Sequence, residues 1–116
     1  NHCKIINDEE ISKYLISKGF VKYKVGQLNF QKQIHLFKNA KIIIGPHGAA
    51  FANLIFCNPK TKIIEIKPKN RENYVNKKIS QYLDLDYSLI ETPTIKDSFN
   101  KKGDILVDLN DIKKIV

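Results

Sequence analysis

Lys41-Ile42-Ile43-Ile44-Gly45-Pro46-His47-Gly48-Ala49-Ala50-Phe51-Ala52-Asn53-Leu54-Ile55-Phe56 is the stretch on which the fold turns. Its three consecutive isoleucines predict a central strand buried on both faces, the pattern of a parallel sheet rather than of a half-wet antiparallel one. Gly45, Pro46, His47 and Gly48 make a tight connection. Residues 49–57 then predict a helix that is apolar almost all round, with Asn53 as its one polar interruption and Asn58-Pro59 as its stop. Such a helix needs cover on more than one side: a deeper core, a second domain or another subunit.

The alternation continues in both directions. Downstream, Lys62-Ile63-Ile64-Glu65-Ile66 is a second buried strand closed by Pro68. A helix follows over 71–83, with Tyr74, Val75, Ile79 and Tyr82 as its apolar stripe. The pattern then gives a strand over 87–90, a polar loop over 92–103, a strand over 105–109 and a last helix over 111–116 capped by Asn110. Upstream, Lys4-Ile5-Ile6 is a short strand. Asn7 and the acidic Asp8-Glu9-Glu10 start a helix striped by Ile11, Tyr14 and Leu15, and Gly19 is placed to end it as a C′ glycine. Residues 20–25 alternate as a half-exposed strand, and residues 30–39 form a helix with Phe30, Ile34 and Phe37 on one face. Repeated strand–helix–strand units define an α/β, Rossmann-like three-layer domain with a mostly parallel sheet and right-handed crossovers. Ligands of such domains bind beyond the carboxyl ends of the strands.

With 116 residues the chain is long enough for one domain, 1–116, with its own core. It contains no methionine at all, and its first residues run almost directly into a strand without a basic-then-apolar leader. It is therefore expected to be a fragment of a longer two-domain protein. The longest apolar run falls well short of the roughly 20 residues that cross a bilayer. Cys3 and Cys57 are expected to be reduced, buried thiols, which fits a cytoplasmic protein, and no Cys/His spacing marks a zinc site.

Twenty basic against 12 acidic residues give a net charge of +8, which favours anionic partners: nucleic acid, an acidic membrane surface or a phosphorylated substrate. All the basic residues but Arg71 are lysines scattered through the chain, and only Arg71 offers a planar fork to phosphate or base. A lysine-rich solvated surface is the plainer explanation. No specific nucleic-acid site is expected, whereas peripheral association with a membrane is left open.

The connection Gly45-Pro46-His47-Gly48-Ala49-Ala50 carries the functional argument. Free amides at a helix start, with the helix dipole behind them, attract phosphate oxygens, and small residues leave room beside the first turn. The spacing is neither a P-loop nor GxGxxG. The competing explanation is a tight turn whose glycines only let strand and helix pack closely. Glu65, a lone carboxylate inside an apolar strand, needs a partner if buried. Its alternatives are holding ribose hydroxyls at a strand end, a structural ion pair, or an outward orientation. Asn53 either supports the loop, touches a ligand, or caps a buried backbone group, and Gln33 either faces a cleft or is surface polar. Asp84-Leu85-Asp86 spells a DxD motif but follows a helical Ser80-Gln81-Tyr82-Leu83, so no metal site is expected there. His2 and His35 read as surface histidines.

The run Phe30-x-x-Gln33-Ile34-x-Leu36-Phe37-x-x-Ala40-x-x-Ile43-Ile44-Gly45-Pro46-His47-Gly48-Ala49-Ala50-Phe51-Ala52-Asn53-Leu54-Ile55-Phe56, followed by Ile63-Ile64-Glu65-Ile66-Lys67-Pro68, resembles glycosyltransferase family 61. Ala50 stands where that family usually has Gly, and Ala52 where it often has Thr. The first adds a methyl beside the loop and the second removes a hydroxyl, while both keep the backbone amides. The resemblance implies the C-terminal half of a GT-B glycosyltransferase, a nucleotide-sugar-binding domain facing a missing N-terminal domain. It further implies a nucleotide-sugar donor, a glycan or other acceptor, polysaccharide or glycoconjugate synthesis, and no metal or other cofactor. Gly45, Pro46, His47, Gly48, Ala49, Ala50, Asn53 and Glu65 would be the donor-binding residues, and any acceptor-activating base would lie in the other domain. The alternative is a non-catalytic basic module that binds nucleotide or nucleic acid.

Overall fold

The computed structural model describes residues 5–69, 73–93 and 105–116. In chain order these form α1 (Asp8–Ser17), a short 3₁₀ turn (Val25–Gln27), α2 (Phe30–Asn39) and β1 (Ile42–Pro46). A 3₁₀ helix (Ala49–Phe56), β2 (Lys62–Pro68), α3 (Val75–Tyr82), β3 (Asp86–Thr92) and α4 (Leu109–Ile115) follow. The three strands are all parallel, in the order β1-β2-β3. The expected α/β architecture is present, and its layering is compatible with a Rossmann-like domain.

The alternation of side chains along β2 divides the core. Ile64 and Ile66 face one layer, packing with Ile11 of α1, Ile112 of α4, Ile90, Ile105 and Val107. Ile63 faces the other, with Phe37 of α2, Phe51 and Leu54 of the 3₁₀ helix, and Leu85. β2 is buried from Ile63 to its end, so it is the central strand. β1, expected in that position, pairs only with β2 among the described residues and is half-exposed. Three isoleucines in a row report burial potential, not sheet order.

Helix α1 ends as the sequence predicts. Gly19 has φ +94°, its N–H donates to Ile16 O at 3.0 Å, and Phe20 N–H donates to Leu15 O at 3.1 Å. This pair of bonds is a Schellman motif, and it needs a residue without a Cβ penalty at the left-handed position. At the other end Asn7 makes no side-chain cap. Its amide instead brackets Val107, donating to its carbonyl at 2.7 Å and accepting from its N–H at 3.0 Å. α2 covers 30–39 as expected, capped by Asn29, whose Oδ1 accepts from Lys32 N–H at 2.8 Å. α4 begins earlier than expected, because Asp108 rather than Asn110 is the cap and accepts from Asn110 N–H at 2.9 Å.

Four further expectations are corrected. Residues 20–25 form no strand: Phe20 N–H is spent on the α1 cap, the 3₁₀ turn begins at Val25, and Val21 and Tyr23 stay exposed. A groove of about 450 Å³ separates this segment from Ile42, Ile43 and Ile44 on the free edge of β1. Alternation without a ladder partner does not make a strand. The helix over 49–57 is 3₁₀. With three residues per turn, Phe51 and Leu54 align toward the sheet while Ala52 and Ile55 align outward, leaving Ile55 60% exposed. Of the strands expected at 4–6 and 105–109, the described residues show one parallel bridge, Ile5 with Ile105. Finally, α3 buries Asn76 and Ser80, and of the expected apolar stripe only Ile79 packs against the core, while Tyr74, Val75 and Tyr82 are exposed. Cys3, His2, Arg71 and the loop beyond residue 93 lie outside the described residues.

Candidate functional site

The site grows from the face of β2 that carries Ile63, Glu65 and Lys67. Parallel register sets Gly45 beside Glu65 and Ile63 beside Tyr87. His47 follows the last residue of β1 and extends the ladder, its N–H donating to Ile66 O at 2.8 Å. Side chains at 43, 45 and 47 share one face of that strand, so glycine at 45 leaves space between the His47 ring and Glu65. A Cβ at Gly45 would meet the Phe51 ring at 3.8 Å, and one at Gly48 would meet Pro46 O at 3.9 Å. Both are ordinary contacts, so packing within the described chain does not itself demand glycine at either position.

Glu65 has no exposed surface, and its carboxylate is saturated by protein donors. Oε2 accepts from His47 Nδ1 at 2.6 Å and from Asn76 Nδ2 at 2.7 Å, and Oε1 accepts from the Tyr87 hydroxyl at 2.5 Å. An ionised carboxylate only accepts, so with Glu65 in that form the proton of this bond is on His47 Nδ1. The partner that burial of Glu65 required is therefore present, and the carboxylate is not open at a strand end to ribose hydroxyls. Sequence reasoning missed Asn76 and Tyr87. The one available signal was the i, i+4 pair of small polar residues Asn76 and Ser80 on an otherwise mixed helix.

Tyr87 is held as a neutral donor. Its phenol is pushed far above the usual range, first by burial, then by its hydrogen bond to Glu65, and then by the charges of Glu65 and Glu91 and by Tyr74. Two residues further along β2, Lys67 is buried with its ammonium 3.6 Å from Glu91 Oε2 and 4.1 Å from the centre of the Tyr74 ring. Burial alone pushes the Cys57 thiol up to about 11, which keeps it protonated near neutrality.

The Gly48 amide donates to no backbone acceptor among the described residues; the first turn of the 3₁₀ helix closes with Phe51 N–H donating to Gly48 O at 3.2 Å. The Gly48 N–H and the His47 ring thus belong to one turn. A cavity of about 170 Å³ reaches Gly45 and Pro46, but Gly48 does not line it. Asn53 is placed elsewhere: its Nδ2 donates to Gln33 Oε1 at 2.8 Å, and Gln33 Nε2 donates to Leu28 O at 2.9 Å. This buried strut ties the 3₁₀ helix to α2. Asp84 and Asp86 sit at the start of β3, at the opposite end of the sheet, where Asp84 pairs with Lys60 at 3.0 Å. His35 is exposed and lies beside Asn39. Among the described residues no three His, Cys, Asp or Glu side chains form a metal-sized group.

Together these features define a three-layer α/β domain with a buried histidine–carboxylate pair where its edge strand gives way to a helix. The profile of the family described as Glycosyltransferase 61 matches residues 1–64 of the 116. The chain belongs to the glycosyltransferase 61 family. It is also similar to a beta-1,2-xylosyltransferase (RCN11) of Oryza sativa subsp. japonica, at 29% identity over 87 residues, covering 75% of this chain. The match spans only 16% of that relative's length. No solved structure matches the chain.

Proposed function

We propose that this chain is the donor-binding domain of a GT-B glycosyltransferase, moving a sugar from a nucleoside diphosphate to a glycan or other acceptor. The observation that carries this reading is the turn at the start of the 3₁₀ helix, where the unengaged Gly48 amide directly follows a histidine anchored on a buried carboxylate. A departing diphosphate needs compensation in place before the bond breaks, and backbone N–H groups with an imidazole supply it without a metal. Gly45 and Pro46 shape the turn, Gly48, Ala49 and Ala50 offer the amides, and His47 offers the ring. Glu65 supports the turn from within through His47, and Asn53 fixes the 3₁₀ helix that follows it against α2. The second domain, on the same protein, supplies the acceptor site. The family membership and the similarity to a xylosyltransferase support sugar transfer as the chemistry.

Isothermal titration with UDP and GDP tests this. We expect binding by one of them, weakened about tenfold or more in His47→Ala, since a hydrogen bond to a charged group contributes roughly 1.5–3 kcal/mol. Failure of both nucleotides to bind at millimolar concentration sinks the reading.

A further inference from the structure

His47 is held at one nitrogen only. Nδ1–H is committed to Glu65 Oε2, while no described residue bonds Nε2. The ring is mostly buried, with 12% of the side chain exposed. An imidazole whose Nδ1 bears the proton has a bare lone pair at Nε2 when neutral, and becomes a donor there only as imidazolium. A phosphate oxygen, however, only accepts.

We propose that nucleotide-sugar binding is coupled to the uptake of one proton at His47 Nε2, with Glu65 as the positioning residue that imposes this coupling. The inference rests on the donor-binding reading above. Solvent or buffer supplies the proton, one N–H bond forms, and Nε2–H then donates to a diphosphate oxygen. Glu65 compensates the imidazolium from behind, and Asn76 and Tyr87 keep the carboxylate oriented by occupying its other acceptor positions. Were Glu65 absent, the neutral ring could place its proton on Nε2 and bind phosphate without uptake. Among the described residues, the charged and titratable groups on this face are Glu65 and Lys67 from β2, Tyr87 and Glu91 from β3, and Tyr74 beside α3. β1 and the 3₁₀ helix carry none. Tyr87 stays neutral and donates to Glu65, so the open proton acceptor on this face is Nε2 of His47.

Calorimetry with UDP-glucose and GDP-mannose tests the coupling, because their diphosphates do not titrate between about pH 6 and 9. Titrations at about pH 7.5 in buffers of different ionisation enthalpy should show uptake approaching one proton per donor bound. Affinity should fall by up to about tenfold per pH unit above the imidazole range. His47→Gln keeps an N–H donor that does not titrate, so its binding should lose the pH dependence. In the free protein, the imidazole ¹⁵N spectrum of the neutral His47 ring should show the proton on Nδ1. Donor binding without proton uptake, a neutral ring protonated on Nε2, or an unchanged pH dependence in His47→Gln would each overturn the coupling alone. Absence of binding by either donor would overturn the donor-binding reading and the coupling with it.

Discussion

A carboxylate with no exposed surface is tolerated only if its neighbours replace the water it has lost, and Glu65 has three such neighbours. The unusual residue was legible: one acid inside Ile63-Ile64-Glu65-Ile66 announces a buried partner. The identity of the partners was not. His47 reaches Glu65 through the pairing of β1 with β2, Tyr87 arrives diagonally through the pairing with β3, and Asn76 through the rotation of α3. None of these relations is a fixed spacing in the chain. Two of the donors can be removed with little change of shape, which gives a prediction. Tyr87→Phe and Asn76→Leu should each lower stability by roughly 1.5–3 kcal/mol, the range for a hydrogen bond to a charged group. Because both act on one carboxylate, the double variant should depart from additivity by about 0.5–3 kcal/mol. Urea denaturation of the four proteins measures this. Strict additivity would mean that the two donors do not share Glu65.

At the level of elements, the glycine stop of α1 and the extent of α2 were read correctly, whereas the caps at Asn7 and Asn110 and the signals that depend on packing were not. The stop at Gly19 and the extent of α2 follow from short-range bonds that a sequence states directly. By contrast, the apolar run after Gly48 shows no helical period, because nearly every position is apolar, and so could not distinguish α from 3₁₀. The choice of 3₁₀ puts Phe51 and Leu54 in line over the sheet, a requirement set by α2 and β2. Residues 20–25 had the alternation of a strand but lacked the ladder. The face of α3 was misjudged because its apolar residues outnumber Asn76 and Ser80, while Glu65 needs the polar ones. The local claim can be tested at Gly19. A Cβ there would meet nothing within 4 Å, so the cost of Gly19→Ala is purely that of the left-handed backbone. It should be about 1–2 kcal/mol, with Gly19→Asn costing less. Thermal melts of both variants decide it; an alanine variant as stable as the parent would show that α1 ends in another way.

For the whole molecule, the problem is how the two ends of a chain are joined to a sheet of three strands. The sequence led to the expectation of two further strands, at 4–6 and 105–109, but the described residues show a single bridge between Ile5 and Ile105. What replaces the missing ladder is one side chain. Val107 is buried, its N–H and C=O have no backbone partner among the described residues, and Asn7 satisfies both from 100 positions away. That contact seats α4 against α1 and closes the layer containing Ile11 and Ile112. Asn7→Ala leaves two buried backbone groups unpaired, at about 1–3 kcal/mol each, a large share of the roughly 5–15 kcal/mol that a domain has in total. Asn7→Asp keeps the acceptor for Val107 N–H but sets a carboxylate against Val107 O, so it should rescue little. Native-state hydrogen exchange should then show the amides of α4 opening at lower free energy than those of β2, which pack into the sheet on both sides. If Asn7→Ala lowered the protection of both elements equally, the C-terminal segment would be part of the global unfolding unit rather than a strap held at one point. If it lowered neither, Asn7 would not be the residue that holds the ends together.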